Sequence, residues 1–185
     1  MSKKQTKRTF IEEARRKQII DATISTIAET GYLNTSLAEI AKYADISKGV
    51  ISYHFDGKDE LINETINTIL TDSYLYIREH VQAAEPDHRA QLRAYIEASF
   101  SYMEQNRAHF VALVDLWGSF SPFEAKREYN ATAYDPCRRN LRGILEPGQA
   151  AGEFGAFPVN TLASIVQAAI DGIMLQWVMD PTKLV

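Results

Sequence analysis

Apolar residues recur every three or four positions along most of the chain, the spacing that brings side chains onto one face of an α-helix. Over residues 12–30, Ile20, Ile24 and Ile27 follow this spacing, and Gly31 supplies a stop signal. No stretch has the sustained alternation of apolar and polar residues that is typical of a β-strand. The pattern therefore predicts an all-α protein.

Two short helices are predicted next. Ser36 begins the second helix, and Glu39 three residues later forms a capping box with it. A turn at Asp45–Ile46 leads to Ser47, which caps a third helix that ends at about Tyr53. Both helices are about two turns long.

Longer helices with wider apolar faces are predicted after this pair. A fourth helix runs from Lys58 to Pro86, and Asp87 caps a fifth that breaks at Asn106. A very apolar sixth helix then reaches Gly118.

Two further helices complete the prediction. One begins at Ser121–Pro122 and is kinked at Pro136, because a proline ring removes one backbone hydrogen bond and clashes with the preceding turn. Residues 147–155, which contain one proline and three glycines, predict a loop. Asn160 caps the last helix, which ends at Asp180–Pro181.

A longer helix followed by two short helices and a tight turn indicates a helix-turn-helix. In such a pair the second helix, here residues 47–55, enters the major groove of DNA. Lys48 at its start reaches phosphate or guanine, and Gly49 lets the backbone approach the DNA closely. The predicted DNA-binding residues are Thr35, Ser36, Ser47, Lys48, Gly49, Ser52, Tyr53, His54 and Lys58.

The other members of this set offer hydrogen-bonding groups at suitable places. Thr35 and Ser36, at the start of the second helix, present hydroxyls, backbone N–H groups and the positive end of the helix dipole to a phosphate. Lys58 begins another helix and offers the same. The side chains at 52–54 supply two hydroxyls and an imidazole for phosphate or base contacts.

Charge is distributed unevenly along the 185 residues. The net charge is −4, but residues 1–60 hold ten Lys and Arg against nine Asp and Glu, whereas residues 61–185 hold ten against fifteen. The first twenty residues alone carry seven basic and two acidic side chains. This distribution fits a DNA-reading end and a body that avoids DNA. Arg15, Arg16 and Lys17 either contact DNA or only solvate the first helix.

Several motifs of the first third resemble the TetR family of bacterial transcriptional regulators. The likeness covers about residues 12–62 and is specific. It lies in Gly31-Tyr32, Thr35–Ala41, Ile46–Gly49, Tyr53–Phe55 and Lys58–Leu61. The remainder is similar more loosely, in Gly148–Phe154 and Ala169–Gly172.

The resemblance implies an all-helical homodimer that binds a palindromic operator and is released by a small effector. We expect a DNA-binding domain of residues 1–57, with a flexible basic leader at 1–10, and an effector-binding and dimerisation domain of residues 58–185. Family members often carry another helix after the last one predicted here, which contributes to their dimer contact. The predicted last helix has apolar residues on opposite sides, so it is the expected dimer interface.

Bulky aromatic and sulfur side chains in the second domain predict an apolar effector pocket, because such rings leave gaps more readily than Leu and Ile. The predicted ligand-binding residues are Phe100, Met103, Phe110, Trp117, Tyr134, Met174 and Trp177. Tyrosine hydroxyls and the Trp177 indole are the expected polar contacts. The same residues would otherwise be ordinary core.

Other functional classes find little support. The sequence has no nucleophile-elbow, HExxH, phosphate-loop or di-metal Glu-x-x-His pattern, so we expect neither an enzyme nor a cofactor. His80, His88 and His109 lack metal-ligand spacing with Cys137, which is expected to pack as a small apolar residue. A single cysteine, no signal peptide and no long apolar run favour the cytoplasm. The remaining alternative is a DNA-binding architectural or regulatory protein without an effector.

Overall fold

The computed structural model describes residues 9–84, 87–119 and 134–182, and within these ranges it contains helices and no strand. The helices are α1 (Phe10–Thr30), α2 (Leu37–Tyr43), α3 (Lys48–His54), α4 (Lys58–Ala83), α5 (His88–Gln105), α6 (Arg107–Ser119), α7 (Asp135–Ala150) and α8 (Val159–Met179). The chain divides into two compact units between Thr68 and Ile69, inside α4. The all-α prediction is confirmed.

Helix α1 begins two residues before the predicted range because Thr9 and Glu12 form a capping box. The Glu12 backbone N–H donates to Thr9 Oγ1 at 3.3 Å, and the Thr9 N–H donates to Glu12 Oε2 at 2.8 Å. Ile20, Ile24 and Ile27 are buried as predicted. They pack in the core of the first unit, where α1 contacts α2 and α3.

A tight turn joins α2 to α3. Ser36 and Glu39 form the predicted capping box at the start of α2. Its end is closed by a Schellman motif, in which the Ile46 N–H donates to the Ala41 carbonyl at 3.0 Å. Asp45 takes the left-handed conformation that this motif requires, with φ of 53°. The turn fixes the direction in which α3 begins.

The second unit is a bundle in which α5 contacts α6, α7 and α8, and α7 contacts α8. Its core contains Tyr95 and Ala98 of α5, and residues 141–145 of α7 contribute three buried aliphatic side chains. Ala163 of α8 is also fully buried there. Bulky residues on one side of α8 (Leu162, Val166, Ile170) pack against this core.

Two local predictions in this unit are wrong, and a third is not tested. The kink predicted at Pro136 depends on the preceding turn, which lies outside the described residues; in the described helix Pro136 occupies the first turn of α7. Pro147 lies inside α7, which continues to Ala150 before the loop begins. Pro158 rather than Asn160 takes the N-cap position of α8. The predicted helix start at Ser121–Pro122 lies outside the described residues.

The opposite side of α8 is exposed and apolar. Ile165 and Met179 are 58% and 73% exposed, and Leu175 is also exposed. Among the helices of the described ranges, α8 alone has the length and composition of a membrane span. A helix whose exposed side packs on a partner has the same composition, so this finding is weak support for a membrane role.

Candidate nucleic-acid interface and effector domain

Most of the residues predicted to read DNA lie on the outer face of α3. Ser47, Lys48, Gly49, Ser52 and Tyr53 are all exposed. The Lys48 side chain makes no hydrogen bond or ion pair with the described residues, and the Tyr53 ring is 75% exposed. This face therefore offers an ammonium and several hydroxyls to an approaching anion.

The inner face of α3 is anchored by apolar side chains. Ile51 is fully buried and Phe55, which follows the helix, is 2% exposed. His54 lies between the two faces: it is half-buried and its ring meets the Tyr53 ring edge-on, with centroids 5.0 Å apart. The apolar anchors fix which side of the helix faces outward.

Arg16 holds the C-terminal end of α3 from α1. Its guanidinium is buried, lies 3.9 Å from the centre of the Phe55 ring and donates a hydrogen bond to the His54 carbonyl. It also approaches Glu64 at 3.6 Å and Glu60 at 3.9 Å. The Arg16 guanidinium therefore makes contacts inside the first unit. The sequence pattern did not decide whether this side chain contacts DNA or only solvates α1.

The start of α2 presents one exposed and one buried hydroxyl. Ser36 is exposed, and its Oγ accepts the Glu39 N–H at 3.2 Å as the helix cap. Thr35 is 2% exposed, and its hydroxyl donates to the Gly31 carbonyl at 2.8 Å. Ser36 is therefore the member of this pair that faces solvent.

Lys58 uses its ammonium group within the unit. Nζ donates to the carbonyl oxygens of Thr35 at 2.5 Å and Tyr32 at 3.3 Å, and it lies 4.1 Å from the centre of the Tyr32 ring. The side chain is half-buried. These bonds tie the start of α4 to the segment that precedes α2.

The residues predicted to bind an effector are buried or half-buried. Met103 and Met174 are buried, while Phe100, Phe110 and Trp177 are half-buried.

Ring contacts involve three members of the predicted set. Trp117 lies beside Tyr134 with centroids 6.3 Å apart, and Phe110 lies beside Tyr102 at 6.0 Å. Burial raises the pKa of Tyr134 to about 12, so its hydroxyl remains a hydrogen-bond donor at neutral pH. A common pocket for the seven residues stays a prediction.

A buried polar network beside Tyr134 was not predicted. The Tyr95 hydroxyl donates to Gln167 Oε1 at 3.0 Å, and Gln167 Nε2 donates to Asp171 Oδ1 at 2.8 Å. Burial raises the pKa of Asp171 to about 6 and the pKa of Cys137 to about 11. The available signal was a glutamine and an aspartate four residues apart in a largely apolar helix.

Metal chemistry finds no support in the described part of the chain, where no group of three or more His, Cys, Asp or Glu side chains is placed to hold a metal ion. His88 instead pairs with Glu153, with Nδ1 2.8 Å from Oε1. The Glu153 carboxylate also accepts the His88 backbone N–H, so it caps the start of α5.

Two family profiles match the chain. Residues 19–65 match the bacterial regulatory proteins of the tetR family, and residues 88–184 match the C-terminal domain of BetI-type transcriptional repressors. The first match covers residues 19–30 of α1, all of α2 and α3 and the first eight residues of α4, and the second covers α5 to α8.

Known proteins are similar over most of the chain. A Burkholderia thailandensis protein named HTH-type transcriptional regulator BetI is 41% identical over 173 residues, with 90% of this chain and 83% of the relative covered. A Paraburkholderia xenovorans protein of the same name is 41% identical over 90 residues, which is 49% of this chain and 46% of that relative. The crystal structure of FadR from Bacillus subtilis in complex with stearoyl-CoA superposes with a TM-score of 0.80 at 24% identity, covering 90% and 89% of the two chains.

Proposed function

The chain belongs to the TetR family of bacterial transcriptional regulators and is not an enzyme, and we propose that it is a cytoplasmic repressor released from DNA by a small, largely apolar effector. It binds a palindromic operator as a homodimer. The proposed DNA-binding domain comprises residues 1–57. The proposed DNA-binding set is Thr35, Ser36, Ser47, Lys48, Gly49, Ser52, Tyr53 and His54 of this domain, together with Lys58, which directly follows it.

The observation that carries this proposal is the outer face of α3. Lys48 and Tyr53 are exposed there, and their side-chain polar groups make no hydrogen bond with the described residues, while Ile51 on the inner face is fully buried. An exposed cation and hydroxyls at the start of a short helix suit phosphate and base-edge contacts in the major groove. Thr35 and Lys58 act differently: their polar groups hold carbonyl oxygens, so they position the start of α2.

Operator binding is tested with DNA from upstream of the chain's own coding sequence. The triple substitution Lys48→Ala, Tyr53→Ala, His54→Ala should abolish a specific gel shift at moderate salt, with the circular dichroism melt little changed. The matched control is Lys42→Ala, which removes one exposed charge from α2. Specific binding that survives the triple substitution would refute the assignment of α3 to the groove.

The proposed dimer forms through α8. One short recognition helix makes few contacts, so two copies must meet half-sites about one helical turn apart, roughly 34–36 Å, or a multiple of it. Thr161, Ile165, Ala168, Gly172, Leu175 and Met179 follow alternating spacings of four and three along one side of α8. That spacing is typical of a helix packed on a partner helix.

The proposed effector occupies the second unit near the half-buried aromatic residues. Trp117 beside Tyr134 offers apolar walls with a hydroxyl, and the FadR neighbour was crystallised with stearoyl-CoA, which carries a long apolar chain. An effector releases DNA only if it binds the DNA-free state more tightly than the DNA-bound state.

Tryptophan fluorescence tests the effector. Titration with a panel of hydrophobic ligands should perturb Trp117 and Trp177, and the same ligands should lower operator affinity. A panel in which no ligand does both would favour the alternative, a DNA-binding protein without an effector.

A further inference from the structure

A groove on the second unit is lined by two exposed arginines. Arg78 on α4 and Arg139 on α7 line a cavity of about 390 Å³ that lies between α4, α5 and α7. Both side chains are exposed. Neither makes a hydrogen bond or ion pair with any described residue.

Among the described residues, no carboxylate lines this groove or lies one turn from Arg78 along α4. The neighbours of Arg78 one turn away on α4 are Tyr74, Leu75, Val81 and Gln82, none of them acidic. The residues that line the groove likewise include no Asp or Glu. Its two positive charges are therefore uncompensated from within the lining.

The acidic side chain nearest to Arg139 along α7 is already engaged. Asp135 Oδ1 accepts a hydrogen bond from Arg138 at 2.5 Å. This hydrogen bond is the largest cause that lowers the Asp135 pKa, and the charges of Arg138, Arg139 and Arg142 lower it further. Arg142, almost one turn further along α7, donates a hydrogen bond to Asn160 Oδ1 at 3.3 Å. Arg139 thus differs from the two other arginines of α7, which have protein partners.

The rest of the lining includes neutral side chains that can donate hydrogen bonds and two tyrosine rings. Gln82, Gln91 and Asn140 line the groove, and their side chains make no hydrogen bonds with described residues. Tyr74 lies at the edge, and the floor includes the buried Tyr95 and Ile144. An apolar floor beneath convergent donors is the composition of a small-molecule site.

We propose that this groove binds a phosphorylated small molecule, with its phosphate held between Arg78 and Arg139. A phosphate monoester carries about −1.5 to −2 charges at pH 7 and three acceptor oxygens, which matches two guanidiniums and adjacent amides. A single carboxylate would neutralise only one of the two arginines. The cavity volume suits an organic phosphate, because it lies within the range of roughly 300–1,000 Å³ for ligand pockets.

The site is separate from the apolar pocket proposed for the effector, and its test does not depend on DNA binding. Isothermal titration of the full chain uses adenosine monophosphate as the probe, with pyrophosphate, adenosine and benzoate in parallel. We expect saturable, salt-sensitive binding of adenosine monophosphate and pyrophosphate, and binding of adenosine and benzoate at least about tenfold weaker.

Substitutions locate the binding. Arg78→Gln and Arg139→Gln should each weaken adenosine monophosphate binding at least about tenfold, and Arg139→Lys should weaken it less because it keeps the charge. Arg93→Gln is the matched control, since Arg93 is an exposed arginine of the same unit paired with Glu97 at 3.8 Å. Lys48→Ala should leave the binding unchanged, which separates the groove from the DNA-binding face. Thermal melts verify that each variant is folded.

Three results would overturn the proposal: no saturable phosphate binding into the millimolar range, binding that both arginine variants retain, or benzoate binding as tight as that of adenosine monophosphate. The last would make the groove a carboxylate site. These titrations measure ligand binding directly, so they can be interpreted even if the operator gel shift fails.

Discussion

The guanidinium of Arg16 donates a hydrogen bond to the backbone carbonyl oxygen of His54, the last residue of α3. A cation at this end of a helix meets the negative end of its dipole. The same guanidinium stacks on Phe55, so α1 holds the recognition helix at its C-terminus while the exposed N-terminus remains available to DNA.

Arg16→Met should therefore disturb both stability and DNA binding. It keeps most of the buried stem but leaves the His54 carbonyl without this donor, so we expect a loss of about 2 kcal/mol in the free energy of unfolding and at least about tenfold weaker operator binding. The partly exposed Glu60 and Glu64 contribute little to this figure.

Arg15→Met is the control, because it removes the same charge from an exposed neighbour on α1. Urea denaturation and gel shifts check the pair. Equal losses of operator affinity without any difference in stability would mean that Arg16 contributes only charge.

Gly49→Ala tests whether the backbone of α3 approaches DNA closely, with little effect expected on the stability of the fold. A Cβ at this position would meet Ser47 Oγ at 3.6 Å, an ordinary contact, and alanine is the better helix former by about 1 kcal/mol. The variant should therefore melt at or above the temperature of the parent protein. Its operator affinity, measured by fluorescence anisotropy, should fall about tenfold because the methyl group occupies space next to the DNA. Unchanged affinity would place Gly49 away from the groove.

Gly148→Ala should destabilise the second unit. A Cβ there would lie 2.3 Å from the Phe154 ring and 2.9 Å from His88 Cβ, so the loop after α7 must shift. We expect a loss of about 1–3 kcal/mol, as is usual for overpacking. The matched control is Gly143→Ala on the same helix, where a Cβ meets nothing within 4 Å. It should melt at or above the parent temperature, and thermal unfolding of both variants provides the comparison.

The sequence predicted what depends on residues close together in the chain. The Ser36–Glu39 capping box and the buried face of α1 were read correctly because a cap and a helical spacing are local. The sequence pattern predicts a loop at Pro147, but α7 continues through this residue. It does so because the burial of Leu141 and Leu145 outweighs one lost backbone hydrogen bond.

Long-range contacts explain the rest of the difference at the sites. Arg16 and Lys58 bond carbonyl oxygens 38 and 23 residues away, so no local pattern distinguishes them from exposed cations. The hydrogen bond between Tyr95 and Gln167 joins residues that are 72 positions apart, so no local sequence pattern predicts it either.

Asp171 should make the protein less stable as the pH rises. Its pKa is about 6 in the fold, raised from 3.8 by burial, so the unfolded chain releases this proton at a lower pH than the folded one. The contribution is favourable at low pH and is lost progressively between about pH 4 and pH 6. A difference of about two pKa units corresponds to about 3 kcal/mol.

Asp171→Asn removes this dependence and retains the oxygen that accepts from Gln167. The variant should be more stable than the parent protein at pH 7.5 and about equal to it near pH 4, as judged by urea midpoints across that range. A parent profile that is flat between these pH values would contradict the raised pKa.

Ile165→Asp should convert the dimer to monomers. Ile165 is 58% exposed in the single chain and lies at the centre of the apolar side of α8, and two-fold symmetry would bring it close to the same helix of a second copy. A carboxylate there must be buried or leave the helices apart, which costs far more than the contact gains. Sedimentation at micromolar concentration should find the parent protein as a dimer and the variant as a monomer with unchanged helical content.

The variant should also bind a single half-site no more weakly than the parent protein while losing tight binding to the palindrome. The control Ala108→Asp, at an exposed position on α6, should remain dimeric. A parent protein that sediments as a monomer, or an Ile165→Asp variant that stays dimeric, would remove α8 as the interface.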